Sequence, residues 1–350
     1  MNFCFIFTAV TVAVIFHELG HALCAVAERA PLINVGILSF LAFPGAFVKM
    51  DLSGLAVWAK IRVFSAGVWH NLVLSFWCYI LLEHRDHLLR PFYDTNAGFI
   101  VLDISPYTSI GGEHGVAVGD VLERINDCDL RHKSFETCLT QLHGANQLGF
   151  CHNEHDIIFD GCCPGENATH ICFESTNREA CLRARHVIEE SNDYFCFDRA
   201  DCDTGQVCVK PVVNETTNER LLVIQSGLER VLYLGPPLEL LHSMVVINYV
   251  PRLALIPVSA APVLLKLLDY TFTFSLGMAF FNALPCVILD GNHISGALID
   301  LLLPARHHQL RILVRLGINV LGTFLIGLFI LIHLIQATLA AAVAAAGLPI

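Results

Sequence analysis

Residues 12–24 read VAVIFHELGHALC, and the rest of the chain is organised around this stretch. His17 and His21 are four residues apart, so on a helix both imidazoles project from the same face. That spacing allows two neutral imidazole nitrogens to bind one Zn²⁺, while the adjacent Glu18 can take a proton from an activated water. The alternative is a helix that carries two ordinary histidines.

The surroundings of the motif favour a metal site. Cysteines aside, the ionisable side chains between Phe3 and Ala27 are His17, Glu18 and His21. A carboxylate near the middle of an apolar span costs about 3 kcal/mol, so such groups are by default functional. We therefore predict that His17 and His21 are metal ligands and that Glu18 is a general base.

The composition predicts an integral membrane protein. Of 350 residues, 55% are hydrophobic and only 15% are charged, whereas soluble domains carry about a quarter charged residues. The mean hydropathy is +0.59. Apolar runs long enough to cross a bilayer cover about residues 3–27, 59–82, 264–289 and 316–340. The net charge of -11 argues against direct nucleic acid binding.

The apolar stretch at residues 30–51 differs from these spans because prolines and glycines interrupt it. They are Pro31, Gly36, Pro44 and Gly45. Such a segment favours a re-entrant or sheet-like element that packs on protein rather than a spanning helix.

A polar insertion at about residues 84–240 separates the two apolar halves. It holds ten of the 14 cysteines: Cys128, Cys138, Cys151, Cys162, Cys163, Cys172, Cys181, Cys196, Cys202 and Cys208. An even, local cluster without paired C-x-x-C knuckles favours disulfides over zinc. The sequons at Asn167 and Asn214 predict glycosylation, and together with the cysteines they predict a lumenal insertion.

The insertion itself has two parts. The first contains short strand-like runs, and Ser134 is placed to cap a short helix. The second, about residues 151–213, has no clear periodicity, so we expect it to be loop-rich and stapled by disulfides.

The distribution of Lys and Arg predicts the orientation. The short connectors between spans carry Arg29, Lys49, Lys60, Arg62, Arg306, Arg311 and Arg315. Short loops rich in Lys and Arg lie in the cytosol, which directs the insertion to the lumen and the metal motif to the cytosolic half of its span.

A catalytic zinc needs a third protein ligand, and Asp290 matches the expected depth best. Asp269 lies before the core of the third apolar run and Asp300 lies beyond it. The alternative for Asp290 is a helix-terminal Asp before a glycine turn. In the second run, Asn71 either faces the metal site or bonds a neighbouring helix, and for His70 we expect the second role.

These motifs resemble the site-2 protease family. The resemblance rests on HELGH at residues 17–21, NALP at 282–285, LDG at 289–291 and AGVWHN at 66–71, with the stretch PGAFV at 44–48. It covers nearly the whole chain and is closest to the animal members of the family that release membrane-bound transcription factors.

The resemblance implies a fold and a site. The fold is a multi-pass α-helical membrane protein with a lumenal PDZ-like (α+β) and disulfide-rich insertion. Its parts are a membrane half at 1–83, a PDZ-like module at 84–148, a Cys-rich insertion at 149–240 and a second membrane half at 241–350. One Zn²⁺ per chain is implied on His17, His21 and Asp290, with Glu18 as the base. The lining residues are Asn71, Asn282, Pro285 and Gly291.

The implied activity is that of an intramembrane zinc metalloendopeptidase. Its substrates would be the membrane-spanning helices of tethered transcription factors that another protease has first cut in the lumen, in sterol control and the endoplasmic reticulum stress response. The implied location is the Golgi or endoplasmic reticulum membrane. Animal members also carry upstream membrane segments and a Ser-rich stretch, which leaves open an extension upstream of Met1.

Two other function classes stay open from the sequence. One is a catalytically silent membrane protein that binds partners and retains the motif. The other is a transporter in which His17, Glu18 and His21 form an ion or proton relay.

Overall fold

The computed structural model describes residues 2–40, 43–108, 110–111, 115–159, 170–176, 178–191 and 195–345. The chain forms two compact units. Met1–Arg85 and Pro262–Ile350 make up the first, called here the helical unit, and Asp86–Ala261 make up the second, called the sheet unit.

The elements are given in chain order for the described residues. The helices are α1 (Asn2–Ala27), α2 (Val57–Glu83), α3 (Arg85–Leu89), α4 (Phe135–Gly144), α5 (Ala184–Glu190), α6 (Leu240–Ser243), α7 (Ala260–Ala283), α8 (Asp290–Leu302) and α9 (His308–Ala345). The strands are β1 (Leu32–Phe40), β2 (Phe43–Met50), β3 (Tyr93–Asp94), β4 (Phe99–Ile104), β5 (Val121–Ile125), β6 (Cys128–Asp129), β7 (Gly149–Asn153), β8 (His170–Ser175), β9 (Arg178–Arg183), β10 (Phe195–Cys196), β11 (Gln206–Pro211), β12 (Arg220–Ser226), β13 (Glu229–Gly235), β14 (Met244–Ile247) and β15 (Val250–Pro251).

The helical unit has the character of a multi-pass membrane protein. Over the part of the chain that the structure describes, four helical segments are long and apolar enough to cross a membrane: Asn2–Ala27, Val57–Glu83, Ala260–Ala283 and Ala305–Leu339. The first two agree with the predicted spans, the fourth begins 11 residues before the predicted residue 316, and the third was expected to continue to residue 289. It ends at Ala283 because Pro285 has no N–H to donate and disfavours helical geometry in the residue before it.

Small side chains bring α1 and α2 together. The buried positions of α1 include Ala9, Ala13, His17, His21 and Ala25, which recur every four residues and so form one stripe. The buried face of α2 includes Val63, Gly67, Asn71 and Ser75 with the same spacing. Alanine and glycine allow membrane helices to approach closely, so the two histidines face α2 rather than lipid.

The broken apolar stretch forms a hairpin, in line with its composition. Strands β1 and β2 pair antiparallel, from Leu32 opposite Met50 to Phe40 opposite Phe43. Gly36 provides the space for the Phe47 ring, since a Cβ built on Gly36 would lie 2.6 Å from Phe47 Cε1. In the described residues these two strands form a sheet of their own, so each keeps an unpaired edge.

In the described residues, the sheet unit contains two main sheets and a ribbon in which β3 pairs with β15. The larger has the strand order β13-β12-β5-β4-β14, with β6 paired to β5, and the smaller has the order β10-β7-β11-β8-β9. The larger sheet takes β4, β5 and β6 from before residue 148 and β12, β13 and β14 from after it. Ser134 caps α4 as predicted, since its Oγ accepts a hydrogen bond from Thr137 N.

Strand β12 joins the two cores of the sheet unit. Leu222 and Ile224 pack in the core that holds Tyr233, whereas Leu221 and Val223 pack in the core of the smaller sheet. Successive side chains of a strand point to opposite faces, so one strand can close both cores.

The predicted disulfides are present in the described residues. The pairs are Cys128–Cys138, Cys151–Cys202 and Cys196–Cys208, and Cys172 and Cys181 are also disulfide-bonded. Cys162, Cys163 and Asn167 lie outside the described residues. The loop-rich prediction for this segment was wrong, because it forms the strands of the smaller sheet. Those strands are short and rich in cysteine and charge, so they lack a strong alternating pattern.

Candidate metal centre

Three donor atoms converge between α1 and the start of α8. Asp290 Oδ2 lies 2.7 Å from His17 Nε2 and 3.1 Å from His21 Nε2. The two Nε2 atoms are 3.2 Å apart. Both histidines are about 95% buried. The structure therefore brings together the three predicted ligands, although 269 residues separate His21 from Asp290.

Helix α2 orients both imidazole rings through contacts with their Nδ1 atoms. His21 Nδ1 lies 2.8 Å from the backbone carbonyl of Val63, an acceptor that keeps the proton on Nδ1 and leaves the Nε2 lone pair free. His17 Nδ1 contacts the side-chain amide of Asn71 at 3.2 Å. The amide oxygen and nitrogen exchange places by a half-turn, so Asn71 can accept the Nδ1 proton of His17 in the same way.

Asp290 reaches the site because the chain turns sharply after α7. It is the first residue of α8, a separate 13-residue helix, rather than the end of the third span. A helix N-terminus favours a carboxylate. Gly291 allows this turn, because a Cβ there would overlap the carbonyl of Leu284 and lie 2.8 Å from that of Ala283.

Glu18 lies beside the three donors and is half-buried. Its carboxylate interacts electrostatically with His17, His21 and Asp290, and it accepts a hydrogen bond from the backbone N–H of Val48. Val48 belongs to β2, so the hairpin approaches Glu18 with the backbone of that strand.

The other predicted lining residues differ in their placement. Asn71 is fully buried and touches His17. Asn282 is half-buried near the end of α7, and none of the hydrogen bonds of the described residues joins it to the donor atoms. Pro285 instead packs by its carbonyl against Gly322 of α9. His70 was expected to bond a neighbouring helix, but its Nδ1 bonds Ala66 O of its own helix at 2.7 Å.

Two residues of the site were not predicted. Gly67 lies against both imidazoles and leaves no room for a side chain. A Cβ built on it would lie 2.6 Å from His17 Nε2 and still closer to His21 Nε2. Ser275 of α7 donates a hydrogen bond to the backbone carbonyl of Asn71 at 3.0 Å. The signal for Gly67 was its spacing of four residues from both Val63 and Asn71, which places the three on one face of α2.

The donor set fits a zinc ion. Two imidazole nitrogens and one carboxylate oxygen are a common set of protein ligands for catalytic zinc, and they leave a fourth position for water or substrate. The three donor atoms already lie close together, and groups of α2 contact the Nδ1 atoms of both imidazoles.

Comparison with known proteins agrees with this geometry. The profile of peptidase family M50 matches residues 5–323. The chain is also similar to the membrane-bound transcription factor site-2 protease homolog of Arabidopsis thaliana, with 24% identity over 351 residues, 82% of this chain and 68% of that protein. A match over so much of the chain shows that the protein belongs to the peptidase M50, or site-2 protease, family of metal-dependent membrane peptidases.

Proposed function

We propose that the chain is a zinc metalloendopeptidase that hydrolyses peptide bonds within membrane-spanning helices. The observation that carries the proposal is the convergence of Asp290 with His17 and His21, which lie beside Glu18 on α1, a helix long and apolar enough to cross a membrane. Zinc bound there would supply a Lewis acid that polarises the scissile carbonyl and activates a water.

The side chains of this chain would perform the remaining steps. Glu18 takes a proton from the attacking water and later delivers it to the leaving amine nitrogen. Val63 and Asn71 hold the imidazoles in the tautomer that leaves Nε2 free for the metal. Leu284 and Gly291 keep Asp290 at the start of α8.

Substrate binding is proposed to use the free edge of β2. A peptide bond within a helix is hydrogen-bonded to its own chain, so the substrate must unwind before attack. In the described residues β2 pairs only with β1, and the backbone of Val48 reaches Glu18. An unwound substrate segment that added to this edge would lie along the catalytic carboxylate.

The substrate class rests on the relative from Arabidopsis and on the motifs. We propose membrane-tethered transcription factor precursors, cut after a first lumenal cleavage, with links to sterol regulation and the endoplasmic reticulum stress response. We propose a Golgi or endoplasmic reticulum membrane, with the PDZ-like and Cys-rich parts in the lumen and the active site toward the cytosol. Asn214 is exposed and available for a glycan, and Asn167 is proposed from its sequon alone.

Metal removal is expected to abolish cleavage. We expect the full chain, purified in detergent and mixed with a model single-span substrate, to lose activity in a strong chelator. Zn²⁺ should restore it and Mg²⁺ should not, because Mg²⁺ prefers all-oxygen ligands. Mass spectrometry of the products gives the cleaved bond. Zinc binding without cleavage would indicate a silent binding protein, and ion flux through reconstituted vesicles without cleavage would indicate a relay.

Substitutions in the hairpin are expected to impair cleavage but not zinc binding. A Cβ at Gly45 would lie 2.7 Å from Leu38 Cδ1 and 3.1 Å from Leu38 Cγ, so Gly45→Val should displace the Leu38 side chain on the neighbouring strand. Misplacing a substrate by about 1 Å can cost 10²-fold, so we expect a 10- to 100-fold loss of kcat/KM. Gly54→Val is the matched control, since a Cβ there meets no atom of the described chain within 4 Å. Unchanged cleavage by Gly45→Val would remove β-addition from the proposal.

A further inference from the structure

A second cluster of potential metal ligands lies in the sheet unit. His186 and Glu190 are one turn apart on α5, which contacts β7, the strand that carries His152. One donor atom from each of the three residues lies within 4.8 Å of the others. The rings of His152 and His186 have centroids 5.9 Å apart.

At the centre of this cluster, two buried atoms form a short ion-pair contact that lacks hydrogen-bond geometry. His152 Nδ1 and Glu190 Oε2 face each other at 2.6 Å. Neither has a partner with hydrogen-bond geometry among the described residues, and the His152 side chain is only 2% exposed. Buried polar atoms that lack hydrogen-bond geometry are costly and rare in folded proteins, and a cation bound by both atoms would satisfy them.

The two donor distances in this cluster lie on either side of the range found at the centre in the helical unit. There the three donors are separated by 2.7–3.2 Å. Here His152 Nδ1 to Glu190 Oε2 is 2.6 Å and His186 Nε2 to Glu190 Oε1 is 3.7 Å. Donors at tetrahedral zinc are about 3.4 Å apart, given zinc–donor bonds of about 2.1 Å.

A neighbouring group of cysteines does not compete for this role. Cys151, Cys196 and Cys202 also lie close together. Cys151 is bonded to Cys202 and Cys196 to Cys208, so these cysteines offer no thiolate.

From this geometry we propose that His152, His186 and Glu190 form a second zinc site, in addition to the one in the helical unit. Two imidazoles disfavour Mg²⁺ and Ca²⁺, which prefer oxygen ligands, and suit zinc. The His186 side chain is 62% exposed, so the site faces solvent and can accept an external fourth ligand. Binding connects α5 to β7 and thereby stabilises the smaller sheet.

Zinc stoichiometry on the full chain tests the proposal. The detergent-purified protein is stripped with a chelator, reloaded with zinc chloride, desalted and analysed by elemental mass spectrometry. We expect about two zinc ions per wild-type chain, about one in His186→Ala, and about one in the double variant His17→Ala/His21→Ala. Combining all three substitutions should leave about none. Cobalt substitution gives an independent readout, since His186→Ala should change the visible absorption of the Co²⁺-loaded protein.

Matched controls separate binding from general effects. Glu189→Ala and His155→Ala alter exposed residues next to the cluster and should keep about two zinc ions, whereas Glu190→Ala should keep about one. His186→Ala is the decisive variant because its side chain is exposed and its loss should not disturb folding. The proposal would be overturned if His186→Ala still bound two zinc ions. It would also be overturned if the wild type bound one zinc ion that only His17→Ala/His21→Ala removed, and the cluster would then be a buried His–Glu pair.

Discussion

Glu18→Gln is expected to reduce cleavage of a membrane-spanning substrate by about 10²- to 10⁴-fold, the usual contribution of a general base. Glutamine keeps the size of the side chain but cannot accept a proton from the attacking water. The metal ligands are not altered, so zinc in the helical unit should stay bound. The loss should therefore appear in kcat, measured with purified full chain, with zinc content determined on the same preparation.

The matched control is Glu28→Gln, just beyond the end of the same helix. Glu28 forms a paired contact with Arg62, with Nε to Oε1 at 2.5 Å and Nη2 to Oε2 at 2.9 Å, and it is not part of the donor cluster. We expect its activity to stay within about twofold, since exposed ion pairs contribute little. If Glu18→Gln cleaved as fast as Glu28→Gln, another group would have to be the base. If Glu18→Gln lost its zinc, Glu18 would be needed for the fold of the site.

The donor residues could be predicted because their signals are strong and local. HELGH fixes the spacing of His17 and His21 on one helix, and its apolar surroundings make ordinary histidines costly. Asp290 was found by matching depth along two spans, an argument that needs only the lengths of apolar runs. The structure places Asp290 on a separate helix, yet the depth argument worked because the turn at residues 284–289 keeps it near the end of α7.

Features that depend on contacts between distant segments could not be predicted. In the sequence, Ser275 does not differ from other polar residues of a span. Its hydrogen bond to Asn71 becomes evident only once α7 is placed against α2. Strand β12 pairs with β5 although the paired residues are about 100 positions apart in the sequence. This pairing could not be predicted, because the short strands in the segment between them have no regular alternation of polar and apolar residues. The same holds for His152 and Glu190, which are 38 residues apart and belong to a strand and a helix that the sequence pattern did not indicate.

The second large effect is expected at Gly67, a residue without any functional group. A Cβ there would lie 2.6 Å from His17 Nε2, well inside ordinary contact distance, and still closer to His21 Nε2. Gly67→Ala must therefore push both imidazoles away from Asp290 or separate α1 from α2. Groups that position metal ligands are typically worth 10- to 100-fold in metal affinity, so we expect a loss of that order in zinc binding and a parallel loss of cleavage at limiting zinc.

The control for Gly67 is Gly277→Ala on α7. A Cβ at Gly277 meets no atom of the described chain within 4 Å beyond its own helix, so zinc affinity and cleavage should not change. Raising the zinc concentration should recover part of the activity of Gly67→Ala, because the ligands are still present and only their placement is changed. Recovery with added zinc distinguishes displaced ligands from a misfolded protein, which zinc would not rescue. Normal zinc affinity in Gly67→Ala would instead mean that α1 and α2 can separate without cost, and that their close approach does not hold the histidines in place.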